Sequence, residues 1–189
     1  MSSHHIVREK QEPALLLLGL DHFDEEMLGQ LLEWSPTVIA VPQTAEKLNS
    51  LGIKIDWLVA DAANEAIQPD VKMVVADGED ITQTILDFLI AHGYPTVNIV
   101  TDNADLNRLL PYVTQIGLVI FNGGKRIFPV TNGFSKWKPA GEIIEVLTPA
   151  KHLSVSGLAD IGNGRYQTQR DGIFSLRFEG KFLFLAESF

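Results

Sequence analysis

The chain has 189 residues, 46% of them hydrophobic and 21% charged, and no cysteine, which excludes disulfides, thiolate metal centres, iron–sulfur clusters and cysteine nucleophiles. Its 15 lysines and arginines against 24 aspartates and glutamates give a net charge of −9, a field that repels nucleic-acid backbones and anionic lipid surfaces. With mean hydropathy +0.09 and no run near the roughly 18 apolar residues of a membrane helix, the composition predicts a soluble, cytoplasmic protein that binds neither nucleic acid nor membrane.

Residues 1–13 read as a polar leader. Over residues 14–121, short apolar runs alternate with amphipathic segments, the pattern of a parallel sheet with crossover helices. Six runs predict buried strands: 15–20, 37–41, 57–60, 72–76, 97–100 and 118–121. Each is too short for a helix and apolar on both faces, as covered parallel strands are. Helices are predicted over 25–34, 44–51 and 81–92; Gly52 and Gly93 follow the last two, where a left-handed C-cap belongs. Trp34 and Trp57 sit on these patterned elements and are expected in the core. His22, His92 and His152 are scattered without metal-ligand spacing and read as helix-end or surface residues.

From about Asn122 helical periodicity disappears and turn pairs recur: Asn122-Gly123-Gly124, Asn132-Gly133, Gly162-Asn163-Gly164, Asp171-Gly172 and Glu179-Gly180. Segments 143–147, 173–178 and 182–185 are β-branched or aromatic and read as antiparallel strands. The predicted fold is therefore an α/β domain over 14–121, an open and mostly parallel sheet with helices on both faces, followed by a small antiparallel β-sandwich over 122–189. Gly123-Gly124-Lys125 lacks the first glycine of a P-loop and is followed by Arg126 rather than Ser or Thr, so it reads as a hairpin turn. The tail carries Phe121, Phe128, Phe134, Trp137, Phe174, Phe178, Phe182 and Phe184, more aromatic surface than a lone small sandwich is expected to enclose. This predicts a homodimer through the C-terminal domain. Trp137 lies in a polar segment, 135–139, read as a loop in which it either stacks on a ligand ring or covers a second subunit.

Ligands of open parallel sheets bind beyond the carboxyl ends of the strands, and four predicted strands end on or next to aspartate: Asp21, Asp61, Asp77 and Asp102. Taken singly, each is most simply a helix N-cap. Gathered on one rim, they also suit a hard cation such as magnesium, which takes oxygen ligands and shares them with substrate phosphates.

The residues from Ala45 to Asn64, and the order of elements throughout, resemble thiamine pyrophosphokinases. That resemblance implies an α/β domain followed by a β-sandwich, dimerisation through the sandwich, and magnesium-dependent transfer of pyrophosphate from ATP to thiamine. The family's DGGAN-like segment corresponds to Pro42-Gln43-Thr44-Ala45-Glu46-Lys47-Leu48, without its aspartate or glycines. The PDxIxGDFDS-like segment corresponds to Ile55 through Asn64, keeping Asp56 and Asp61 but placing Ala63 and Asn64 at the last aspartate and serine. The DxTD segment reads Asp80-Ile81-Thr82-Gln83, and the GGRxDH segment is replaced by residues 101–107, where Asp102 and Asp105 are both candidates for its aspartate. Ser156-Gly157-Leu158 resembles the GLKY element, and Asp171-Gly172-Ile173-Phe174-Ser175 stands where GxSN binds thiamine.

The resemblance and the aspartate rim together predict metal contacts at Asp61, Asp77 and Asp80, the last two as a relocated set, and nucleotide contacts at Asp56, Thr82 and Asp102; substrate contacts are predicted at Ser175, from the resemblance, and at Trp137, from its place between two lysines. With Ala63 and Gln83 in place of two metal carboxylates, the resemblance implies a thiamine pyrophosphokinase-like protein with impaired catalysis, acting as a ligand-binding or oligomeric module for thiamine or a nucleotide. The alternative is an active transferase that moves pyrophosphate from ATP to thiamine, or to a related small alcohol, through a shifted Mg2+ site.

Overall fold

A computed structural model of the chain describes residues 12–61, 68, 70–76 and 80–189. Most of the leader, Ala63, Asn64 and Asp77 lie outside the described residues. The chain divides into two compact units between Leu118 and Val119.

In the first unit five parallel strands are ordered β5-β1-β2-β3-β4: β1 (Ala14–Leu17), β2 (Val38–Ala40), β3 (Trp57–Ala60), β4 (Lys72–Val75) and β5 (Thr96–Val100). β1 is central because it has neighbours on both edges, Leu16 aligning with Ile39 on one side and Ile99 on the other, and all four of its residues are fully buried. It ends earlier than the apolar run suggests, since the amides of Leu18 and Gly19 both turn to the Val100 carbonyl, at 2.8 and 3.3 Å. β4 departs from the expectation of a strand covered on both faces. It closes the order on one side, and Lys72 and Val75 are exposed.

The helices begin where a side chain can satisfy orphan amides. Asp24 accepts from Met27 N at 3.0 Å to open α1 (Glu25–Leu32), whose acidic first turn, Glu25 and Glu26, complements the helix dipole. α2 (Pro42–Ser50) opens on a proline at a position that needs no amide, with Thr44 Oγ1 accepting from Val41 N and donating to Leu17 O at 2.8 Å. Asp80 accepts from Thr82 N to open α3 (Ile81–Ala91), which buries Ile85, Leu86 and Leu89 completely. Each such side chain contributes about 1.5–3 kcal/mol relative to exposure. Gly52 and Gly93 follow α2 and α3 at φ +69° and +73°, as expected of left-handed caps. A short α4 (Leu106–Leu109) and a 3-10 turn (Leu110–Tyr112) follow β5.

Trp34 is not in the core. α1 stops at Leu32, and the tryptophan beyond it is 70% exposed. Trp57 is half-buried, with Phe88 edge-on at 4.7 Å and the Lys72 ammonium 5.1 Å above its ring.

The second unit is antiparallel. β6 (Gly117–Asn122) and β7 (Lys125–Val130) form a hairpin whose turn glycines, Gly123 and Gly124, hold φ +56° and +74°, the positive values a two-residue turn needs. β7 pairs with β14 (Leu183–Ser188), which pairs with β9 (Ile143–Val146); β12 (Arg165–Thr168) and β11 (Leu158–Gly162) complete that order. A separate three-stranded sheet runs β10 (Lys151–Ser156), β13 (Gly172–Glu179), β8 (Ser135–Lys138). Val130, Ile144 and Leu185 from the first set share one core with Phe174, Leu176 and Phe178 from the second. The aromatic surplus read from the sequence is smaller than expected, because Phe121, Phe174, Phe178 and Phe184 are already buried in the single chain.

The segment 135–139 is not a loop. Ser135 to Lys138 form β8, with Ser135 and Trp137 outward and Lys136 and Lys138 turned in. This inverts the usual alternation, and its cause is Glu187, described below.

Candidate functional site

The strand order sets the geometry. β2, β3 and β4 lie successively on one side of β1 while β5 lies on the other, so the topological switch point falls beyond the carboxyl ends of β1 and β5. Two loops meet there, and Asp102 joins them: its Oδ2 accepts from Asp21 N and its Oδ1 from His22 N, both at 3.2 Å. Gly19 makes this approach feasible. A Cβ at that position would stand 2.3 Å from Asp102 Oδ2 and 2.8 Å from its backbone nitrogen. Lys47, reaching from α2, donates to Leu20 O at 2.9 Å and brings a cation to the same loop.

The aspartates that cap helices are not the ones that end strands. They come in pairs three residues apart, Asp21 and Asp24, Asp77 and Asp80, Asp102 and Asp105. In each pair the second member is the cap: Asp24 for α1, Asp80 for α3, and Asp105, which accepts from Asn107 N, for α4. Of the first members, Asp21 is exposed, Asp102 ties the two loops, and Asp77 lies outside the described residues.

The remaining expected site residues are dispersed. Asp61 is exposed at the carboxyl end of β3. β2 and β1 separate that strand from β5, so the strands that carry Asp61 and Asp102 run three inter-strand spacings, roughly 14 Å, apart. Asp56 precedes β3, at the opposite edge of the sheet from Asp61, where its Oδ2 accepts from Val38 N at 2.9 Å and Lys54 lies 3.6 Å away. Thr82 contributes its amide to the Asp80 cap, and Asp80 also accepts from Arg108 Nη1 at 2.6 Å. Arg108 Nε pairs with Asp105 at 3.2 Å, so one guanidinium holds the caps of α3 and α4 together. Beside them, burial and the Asp87 carboxylate raise the Tyr112 phenol above its usual pKa of 10.0.

Magnesium commonly takes one or two protein carboxylates and shares the ion with substrate phosphates, whereas the family resemblance implies a centre of several converging carboxylates. Among the described residues no three histidine, aspartate or glutamate side chains converge in that way. Asp80 is engaged by Arg108 and an amide, and Asp102 by two amides. The described residues do not assemble the multi-carboxylate magnesium centre that the family resemblance implies.

Trp137 and Ser175 share a face. Trp137 aligns with Ile173 across β8 and β13, and Ser175 lies two residues along β13 on the same side. Trp137 is 60% and Ile173 70% exposed.

Behind that face lies a charge cluster that the sequence reading missed. Glu187 of β14 is 2% exposed, with Lys136 Nζ donating to its Oε1 at 2.6 Å and Arg126 donating to the same oxygen through Nε, at 3.1 Å, and Nη2. Lys138 Nζ is 3.0 Å from Oε2 but off the line of a directed hydrogen bond, leaving that oxygen without one. Burial alone pushes a carboxyl pKa upward. Here the hydrogen bonds from Lys136 and Arg126, together with the nearby Lys138 ammonium, outweigh it, lowering Glu187 from 4.5 to about 2.

No protein-family model and no curated protein matches the sequence. Solved structures do match the fold. Thiamine pyrophosphokinase from Bacillus subtilis superposes with TM-score 0.67 at 14% identity, covering 94% of this chain and 99% of that one. The enzyme from Geobacillus thermodenitrificans gives 0.69 at 10% identity, covering 93% and 97%. The yeast enzyme gives 0.68 at 9%, covering 95% and 87%. Over nearly its whole length, the chain has the fold of the thiamine pyrophosphokinases.

Proposed function

We propose that the chain is a thiamine pyrophosphokinase-like protein impaired in catalysis, which serves as a ligand-binding or oligomeric module. The observation that carries this reading is the engagement of the rim carboxylates: Asp80 in a helix cap and an arginine pair, Asp102 in a bridge between two loops. Freeing either for a metal ion would cost the element it supports. Ala63 and Gln83, standing at two family carboxylates in the sequence, support it independently. The ligand is thiamine or a nucleotide, held at the carboxyl rim of the parallel sheet. The antiparallel unit is a β-sandwich through which two copies associate, and the exposed Trp137 and Ile173, with Ser175 beside them, supply the contact surface.

The test is turnover and binding together. Thiamine, ATP and magnesium should yield no thiamine diphosphate at an ordinary enzymatic rate. Thermal shift with thiamine, thiamine diphosphate and ATP, each with and without magnesium, should identify one stabilising ligand, worth about 2.7 kcal/mol at 100 times its dissociation constant. Ordinary turnover that is lost in Asp61→Asn would replace this reading with a shifted-metal transferase. Light scattering showing a monomer at micromolar concentration would remove the association.

A further inference from the structure

Within the antiparallel unit, Val119, Phe128 and Phe134 form the floor of a groove with a volume of about 300 Å³, and Arg126 and Lys136 also line it. That volume is at the lower end of what small ligands occupy. The floor is aromatic: Phe128 and Phe134 sit 6.1 Å apart at 58°, and the Lys136 ammonium and Arg126 guanidinium lie 5.3 and 5.8 Å from the Phe128 ring centre.

The charge arithmetic sets the ligand class. One buried carboxylate, Glu187, is shared by three cations, Arg126, Lys136 and Lys138, and among the described residues only Lys138 has a second acid nearby, Glu142 at 3.5 Å. The groove is therefore locally positive in a protein whose net charge is −9. Arg126 donates to Glu187 through Nε and Nη2, and Lys136 through one of its three protons, so both keep donors for another acceptor. Glu187 also restrains the two side chains, which lowers the ordering cost of engaging a ligand.

We propose that this groove binds a small aromatic anion, a ring seated on Phe128 and Phe134 with its acid group between Arg126 and Lys136. The groove is lined wholly from the antiparallel unit, whereas the ligand proposed above is held at the carboxyl rim of the parallel sheet, so the proposal does not depend on that reading; thiamine, whose thiazolium is a cation, is repelled from the groove.

The full-length chain is titrated with 8-anilinonaphthalene-1-sulfonate, read by fluorescence at constant ionic strength. One equivalent should bind and be displaced by benzoate or phenyl phosphate, while benzylamine and inorganic phosphate at equal concentration should leave it bound. Val119→Trp, which fills the groove without touching its charges, should abolish binding, and Lys136→Met should weaken it about tenfold or more. If Val119→Trp does not fold by circular dichroism, Lys136→Met decides. Displacement by benzylamine as readily as by benzoate, displacement by phosphate alone, or undiminished affinity in a folded variant each overturns the proposal.

Discussion

Replacing Glu187 by glutamine isolates the charge of the one carboxylate buried beneath three cations. Glutamine keeps the shape and is a fair copy of the protonated acid, so its cost is that of protonating the native site. A folded pKa of about 2 against 4.5 in the unfolded chain is worth about 3 kcal/mol at neutral pH, at 1.36 kcal/mol per pH unit. Breaking one partner of a buried ion pair typically costs about 3–5 kcal/mol, which agrees. The sign follows from the depressed pKa: the stabilisation is present above pH 4.5 and is lost as pH falls toward 2. At pH 3 the native carboxylate is still ionised while the unfolded one is protonated, and the advantage shrinks to about 1.5 kcal/mol. Urea denaturation of both proteins at pH 7 and pH 3, followed by circular dichroism, should show the gap between them roughly halving. A gap below about 1 kcal/mol at pH 7, or one that does not change with pH, would mean that the three cations are not held by this charge.

Gly19→Ala should destabilise the first unit by about 1–3 kcal/mol, because the new methyl meets both the carboxylate and the backbone of Asp102; faster amide exchange at Asp21 and His22 is the local readout. Asp80→Ala removes the cap of α3 and a partner of Arg108, so urea denaturation should register a loss of about 1–2 kcal/mol. Trp137→Ala should change stability by less than about 0.5 kcal/mol, since the ring is exposed, while lowering the mass seen by light scattering. In a spectrophotometric titration one phenol should ionise above pH 10.0, and that phase should vanish in Tyr112→Phe and move down in Asp87→Asn.

The parallel strands were legible because doubly covered strands are continuous apolar runs. β4 misled for the same reason, since Met73, Val74 and Val75 look identical whether the strand is central or last in the order. The aspartates were legible as a rim but not by role. Capping geometry needs the residue immediately before the first helical turn, which selects Asp24, Asp80 and Asp105 over the members three residues earlier. Composition gave no hint that Asp102 bonds to amides 80 and 81 residues away; the only local trace was a glycine, Gly19, small enough to admit it. β8 could not be found by hydrophobic pattern at all. Its inward residues are lysines, and what makes them inward is a glutamate about 50 residues later in the chain.

That inverted strand has a consequence for how the sheet finds its alignment. A strand slipped by one residue turns every side chain to the other face. For β8 such a slip would bury Trp137 and release Lys136 and Lys138 to water, the arrangement that hydrophobic burial alone prefers. The native pairing of Trp137 with Ile173 therefore stands against the ordinary sorting of oil from water, and Glu187 is what tips the choice. The carboxylate works as a register pin, and in its absence the competing alignment is one that would present a different face to solvent from the same four residues.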